Sequence, residues 1–246
     1  MPNYVSVDLV ITGKEENIKR MFKDIEECMD TNKVEYPETD AGYTGLLVAK
    51  HYNLEKKEKY SNILQGIMNW SVYHNVPDPD NTIPLAELQD DRYNVNIRSF
   101  MKTFEMGEDA EGNAIIRIHS LDIWNTATSL YSVLEKIYDV KIIYKSEEAG
   151  LGVLLTNDSE GNFFPESYYV EVEEPDDEHP ELELSDYILT PNTVEEIWVH
   201  FRVANELELR EKYEVICFGT YELVDLPESR LLEPEEVRAI IERVNK

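Results

Sequence analysis

The sequence predicts an α+β protein of two regions: residues 1–165, in which strands and helices alternate, and residues 166–246, an acidic β-rich region closed by a terminal helix. Three observations carry this reading. The chain opens with a period-two apolar pattern followed at once by a period-3.6 one. Beyond Pro165 short alternating segments place Val or Leu on one side and Glu on the other. The last residues return to helical spacing behind a proline.

In order, YVSVDLVITG alternates Val5, Val7, Leu9 and Ile11 against Ser6, Asp8 and Val10, a strand with one strongly apolar face that closes at Gly13. KEENIKRMFKDIEECM then spaces Ile18, Met21, Phe22, Ile25, Cys28 and Met29 along one helical face, with acids in the first turn. Residues 31–50 carry no clear period. KKEKYSNILQGIMNW sets Tyr60, Ile63, Leu64 and Ile67 on one helical face, and NWSVYHNV is expected to follow as a short strand. Prolines make residues 77–84 a loop. YNVNIRSFMKTFEMG and NAIIRIHSLDIW read as a hairpin around EDAEGN. NTATSLYSVLEKIYD is a helix with Ala127, Leu130, Val133, Leu134 and Ile137 inward, and VKIIYKSEEAGLGVLL is two strands about Gly150–Gly152. A further turn is expected at Ser159–Asn162. YYVEVEE, ELELSD, EEIWVHFRV and EVICFGTYEL each alternate as strands, and EPEEVRAIIERVNK is a helix burying Val237, Ile240, Ile241 and Val244.

Composition bounds the function. The 246 residues are 42% hydrophobic and 10% aromatic, enough to build a core. The formal charge of −28 is uneven: residues 1–122 carry a net −9 and residues 123–246 a net −19. Between Lys145 and Arg202 stand 16 acids and no Lys or Arg. Direct binding to nucleic acid is disfavoured, because displacing phosphate counterions takes clustered basic side chains. An anionic membrane surface is disfavoured for the same reason. The N-terminus lacks a basic region followed by an apolar one, and no stretch reaches 18 uncharged apolar residues, so the expected location is the cytoplasm. The two cysteines, Cys28 and Cys217, lie among apolar residues and read as reduced, buried thiols.

The opening MPNYVSVDLVITG, the segment MNWSVYHN and the stretch RIHSLDIWNTATSLYSVLEKIYDVKIIYKSEEAGLGVLL together resemble the ferredoxin-like domain of the YubB/Api92 family of phages and plasmids. In that family a Trp-containing turn leads into a helix, then a strand, an acidic pair and a glycine. Here the helix follows Trp124, and the pair is Glu147–Glu148 ahead of Gly150. The family's helix usually starts Trp-Ser-Pro-Pro, whereas this chain has Trp124, Asn125, Thr126 and Ala127. The resemblance covers residues 1–165. It implies a ferredoxin-like, split β-α-β core and a mobile-element origin, and it carries over no catalytic residue and no cofactor.

Chemical motifs are sparse. His51, His74, His119, His179 and His200 include no helical ligand pair. His119 and Asp122 near a strand end, with Glu147, are the set a metal-dependent hydrolase would use, and lone histidines in alternating strands more often serve hydrogen bonding. Glu147 and Glu148 are adjacent in a strand, so they point to opposite faces and make a poor acid/base dyad. Residues 77–84 contain DPDN without the glycine and distal Glu of a calcium loop. GLG at 150–152 is a turn rather than a phosphate loop.

The acidic run, VEVEEPDDEHPELELSDY, is half Asp and Glu. In strands, Glu171 with Glu173, and Glu181 with Glu183, form rows with charges about 6.6 Å apart, and paired strands set such rows about 4.8 Å apart. Like charges so placed cost a few tenths of a kcal/mol per pair. Duplex DNA also offers dense, regular negative charge. The expected function is therefore a non-enzymatic binding protein that occupies the basic groove of a host nucleic-acid-handling protein, encoded, as the resemblance implies, by a phage or plasmid. Its contacts would be Glu171, Glu173, Asp176, Asp177, Glu178, Glu181 and Glu183. The alternatives are a mobile-element accessory whose acidity only keeps it soluble, and the metal-dependent hydrolase.

Overall fold

The computed structural model describes residues 4–29, 42–54, 60–73, 97–123, 125–148, 153–165, 168–172 and 215–245. Among them strands and helices mix as an α+β fold. They form two compact units, Met1–Ile143 with Leu226–Lys246, and Tyr144–Asp225.

In the first unit the strands are β1 (Tyr4–Gly13), β2 (Ser99–Glu108), β3 (Ala114–Ile123) and the first half of β4 (Val140–Glu148), hydrogen-bonded in the order β2-β3-β1-β4. β3 runs antiparallel to both of its neighbours, with Val7 opposite Ser120 and Leu9 opposite Ile118. The helices are α1 (Glu15–Met29), α2 (Gly42–His51), α3 (Tyr60–Tyr73), α4 (Thr128–Tyr138) and α5 (Pro234–Asn245). α1 packs on β1 and β3, α2 on β2 and α4, and α3 on α4 and α5.

The core follows the apolar periods. Val5, Val7, Leu9 and Ile11 of β1 are buried, as are Ile18, Met21, Ile25 and Cys28 of α1, and Ala127, Leu130, Val133, Leu134 and Ile137 in and beside α4. Val10, expected to face outward, is buried too, so both sides of β1 are covered at that point. Two expectations are corrected. NWSVYHNV is not a strand where it is described, because α3 runs on through Tyr73. Its buried positions Ile63, Leu64, Ile67, Met68 and Val72 keep the helical spacing begun upstream, and continued helical burial overrides a β-prone Ser-Val-Tyr run. In α5 only Val237 and Ile240 are fully buried, while Ile241 and Val244 are half-exposed. Residues 42–51, without a clear period in the sequence, form α2, which is buried on nearly all sides and so shows no polar stripe.

α2 meets β2 through a glycine. Gly42 sits at φ +63°, and a Cβ there would come within 2.2 Å of the Ser99 carbonyl oxygen. α4 ends on Asp139 in the left-handed conformation, whose N–H bonds the Glu135 carbonyl. Asn17 of α1 donates to the Asp139 carbonyl at 3.0 Å, and Arg20 to the Ile137 carbonyl at 3.1 Å, so α1 seals the end of α4.

The second unit holds the rest of β4 paired antiparallel with β5 (Val153–Thr156), β5 paired in parallel with β8 (Glu222–Leu223), and the antiparallel pair β6 (Tyr168–Val172) and β7 (Val215–Thr220). Tyr144 donates its hydroxyl to the Val224 carbonyl at 2.8 Å, and its N–H to Asn157 at 2.7 Å. Two turns, one in each unit, share the pattern Asp-x-Glu-Gly-Asn, at 109–113 and 158–162. In both, the Asp carboxylate accepts two backbone N–H groups, those of Glu111 and Asn113 in the first and of Phe163 and Phe164, just past the turn, in the second, and the glycine has positive φ. No helix among the described residues is long and apolar enough to cross a membrane.

Candidate functional site

Of the expected contact residues, Glu171 lies on β6, opposite Cys217 of β7, next to a register shift between Glu171 and Val172. Glu173, Asp176, Asp177, Glu178, Glu181 and Glu183 lie outside the described residues, as do His74, His179 and His200, and the segments ELELSD and EEIWVHFRV.

The hydrolase set is not brought together. His119 and Asp122 are an odd number of positions apart on β3, so their side chains leave the strand on opposite faces. On one face, His119 Nδ1 lies 3.0 Å from Asp8 Oδ1, its cross-strand neighbour, and both side chains are about half-exposed. On the other, Asp122 is wholly buried beneath α4. Glu147, in the second unit, accepts from the Tyr221 hydroxyl and pairs with Lys145 at 3.1 Å, and the Lys145 ammonium stands 5.9 Å from the centre of the Phe164 ring. Each of the three is committed to partners of its own. Among the described residues no group of three or more His, Cys, Asp and Glu gathers where it would hold a metal ion.

The unusual chemistry of the first unit is the surrounding of Asp122. The apolar parity of β3, Ile116 and Ile118, continues into Ser120 and Asp122, which places a carboxylate and a hydroxyl in the core. Asp122 Oδ2 accepts the Ala127 N–H at 2.6 Å and the Tyr131 hydroxyl at 2.8 Å, and Oδ1 lies 3.0 Å from the same hydroxyl. The Tyr131 oxygen is 3.2 Å from Ser99 Oγ and 3.4 Å from Ser120 Oγ. Thr44 of α2 donates to Ser99, 3.1 Å from its carbonyl and 3.2 Å from its hydroxyl. Asp122, Tyr131, Ser99, Ser120 and Thr44 are all buried.

Burial pushes the Asp122 carboxyl up to about 6, against the opposing pull of the Ala127 N–H and the hydroxyls. The Tyr131 phenol is driven far above its usual range by the same burial and by the neighbouring carboxylate. The cluster ties β2, β3, α2 and α4 together. Every member of it is buried, so its hydrogen bonds stiffen the core where these elements meet. The sequence reading named Asp122 without its partners. The available signal was Ser120 and Asp122 at core parity in an otherwise apolar strand.

No family model matches this chain, and no curated protein or solved structure matches it either.

Proposed function

We propose that this protein is a non-enzymatic binding protein whose acidic segment occupies the basic, nucleic-acid-binding groove of another protein, in place of nucleic acid. The observation that carries the reading is the run of 16 acids without a single Lys or Arg between Lys145 and Arg202. Two further points support it. Glu171, the sixth acid of the run, belongs to a hydrogen-bonded strand, β6. The titratable candidates for catalysis, His119, Asp122 and Glu147, are spent on separate structural contacts.

The strand order β2-β3-β1-β4, with β3 antiparallel to both neighbours and helices between β1 and β2 and between β3 and β4, supports a ferredoxin-like, split β-α-β reading of the first unit. With the resemblance to the YubB/Api92 family, it favours an origin on a phage or plasmid and a host defence protein as the target.

A purified panel of basic, duplex-DNA-binding proteins tests the reading. Binding is expected at low salt, to weaken steeply as salt rises, and to be displaced by duplex DNA. Reversing Glu171, Glu173, Glu181 and Glu183 to Lys should abolish it with the thermal melt unchanged. Binding that survives reversal, or that duplex DNA leaves untouched, overturns the proposal. The acid excess also extends to residues 1–122, net −9, which favours the solubility reading. Under that reading the reversed protein loses solubility and no partner.

A further inference from the structure

The Asp122 carboxyl is enclosed on every side that the described residues provide, and each group that meets it is neutral. Ser120 comes from its own strand, Ser99 from β2, and Tyr131 and the Ala127 N–H from α4 and its start, with Thr44 of α2 behind Ser99. No Lys, Arg or His stands among these partners. A buried carboxylate without a cation is costly, and the usual resolution is to take up a proton.

The cluster is built to hold either form. When the carboxyl is ionised, the Ala127 N–H and the Tyr131 O–H both donate to it. When it is protonated, its own O–H needs an acceptor, and the Tyr131 oxygen lies 3.0 Å from Oδ1. Tyr131 then turns its proton to Ser99 Oγ at 3.2 Å or Ser120 Oγ at 3.4 Å. Hydroxyls donate and accept alike, so the ring reverses without moving a heavy atom. The Ala127 N–H cannot reverse and stays on Oδ2 in both states. That bond fixes the start of α4, where Ala127 offers no side-chain cap and the first turn holds no acid.

We propose that Asp122 and its hydroxyl ring form a proton-operated latch on the junction between β3 and α4, closed while the carboxyl is protonated and more easily opened once it ionises. Closed, the junction holds the carboxyl at about 6. Opened to water, the carboxyl returns to an ordinary value of about 4. The group therefore favours the closed form in acid, and that advantage is lost as pH rises from about 4 through about 6.

Hydrogen exchange at the amides of Ala127 to Tyr131, corrected for intrinsic rates, reads the opening directly. Between pH 5 and 7.5 the protection in the native protein is expected to fall about tenfold, and in Asp122→Asn, which cannot ionise, to stay level. The same pH dependence in Asp122→Asn overturns the proposal. The carboxyl carbon resonance of Asp122 in the unaltered protein supplies a measurement that needs no variant. A midpoint near 6 supports the latch, whereas a midpoint near 4, or no titration, overturns it.

Discussion

The indole N–H of Trp70 donates to Oε1 of Glu236 at 3.0 Å, joining residues separated by 166 positions in the chain. Trp70 lies partly buried near the end of α3, and Glu236 lies in the first turn of α5. Arg230 grips the same carboxylate through both of its terminal nitrogens, at 2.7 and 2.8 Å. The Glu233 N–H, just ahead of Pro234, donates to Oε2 at 2.9 Å, which is half of a capping box. One carboxylate thus starts α5, orders the segment before it and docks both on α3. The arrangement continues through Leu232, whose N–H donates to the Tyr52 hydroxyl at 2.9 Å.

The Glu236 carboxyl should make the fold sensitive to acid. The Arg230 guanidinium holds it down at about 2. A depressed carboxyl stabilises the fold fully above its ordinary value near 4.5, and that stability is lost as pH falls toward 2. Glu236→Gln is expected to lower stability at pH 7 by about 1–3 kcal/mol. It should also flatten the loss between pH 4.5 and 2. Urea denaturation across that pH range measures both.

Gly66 and Ile240 should show coupling of changing sign. A Cβ on Gly66 would lie 2.8 Å from Ile240 Cγ2, so the glycine is the seat for the helix docked on α3. Gly66→Ala in the native background should cost about 1–3 kcal/mol through overpacking. In an Ile240→Ala background the obstructing methyl is gone, and the same change should stabilise by about 0.5–1 kcal/mol through helix propensity. Chemical denaturation of the four proteins gives the cycle.

Gly42→Ala should be the more damaging glycine change. The added methyl meets the Ser99 carbonyl oxygen, a backbone atom that cannot turn away, and the position has φ +63°. A loss of about 3 kcal/mol or more is expected from clash and left-handed strain combined. It should appear as a depressed melting temperature or an insoluble product, and a melt within two degrees of the native protein would contradict it.

Cys28 should be chemically silent. Its side chain is buried on α1, and burial pushes the thiol up to about 11. In a Cys217→Ser background, Ellman's reagent at pH 8 should modify Cys28 only after urea unfolds the protein. Rapid labelling of the folded protein would show that the α1 face opens.

Local periodicity alone determined β1, α1, the β2–β3 hairpin, α4 and α5, because the apolar residues of each recur at the period of its own secondary structure. The same logic failed at α2, which is covered almost all round and so shows no stripe, and at Asn69–Tyr73, where a β-prone composition sits in a helix that tertiary contacts extend. It also told nothing of partnership. His119 and Asp122 look like a pair in the sequence, yet strand alternation sends one to Asp8 and the other to Tyr131. Only the tertiary structure decided that the last helix returns to the first unit through Glu236, Arg230 and Trp70, and that a core carboxylate is ringed by hydroxyls from three other elements. Such contacts join residues far apart in the chain. They depend on distance and direction in space, to which a one-dimensional pattern of polarity is blind.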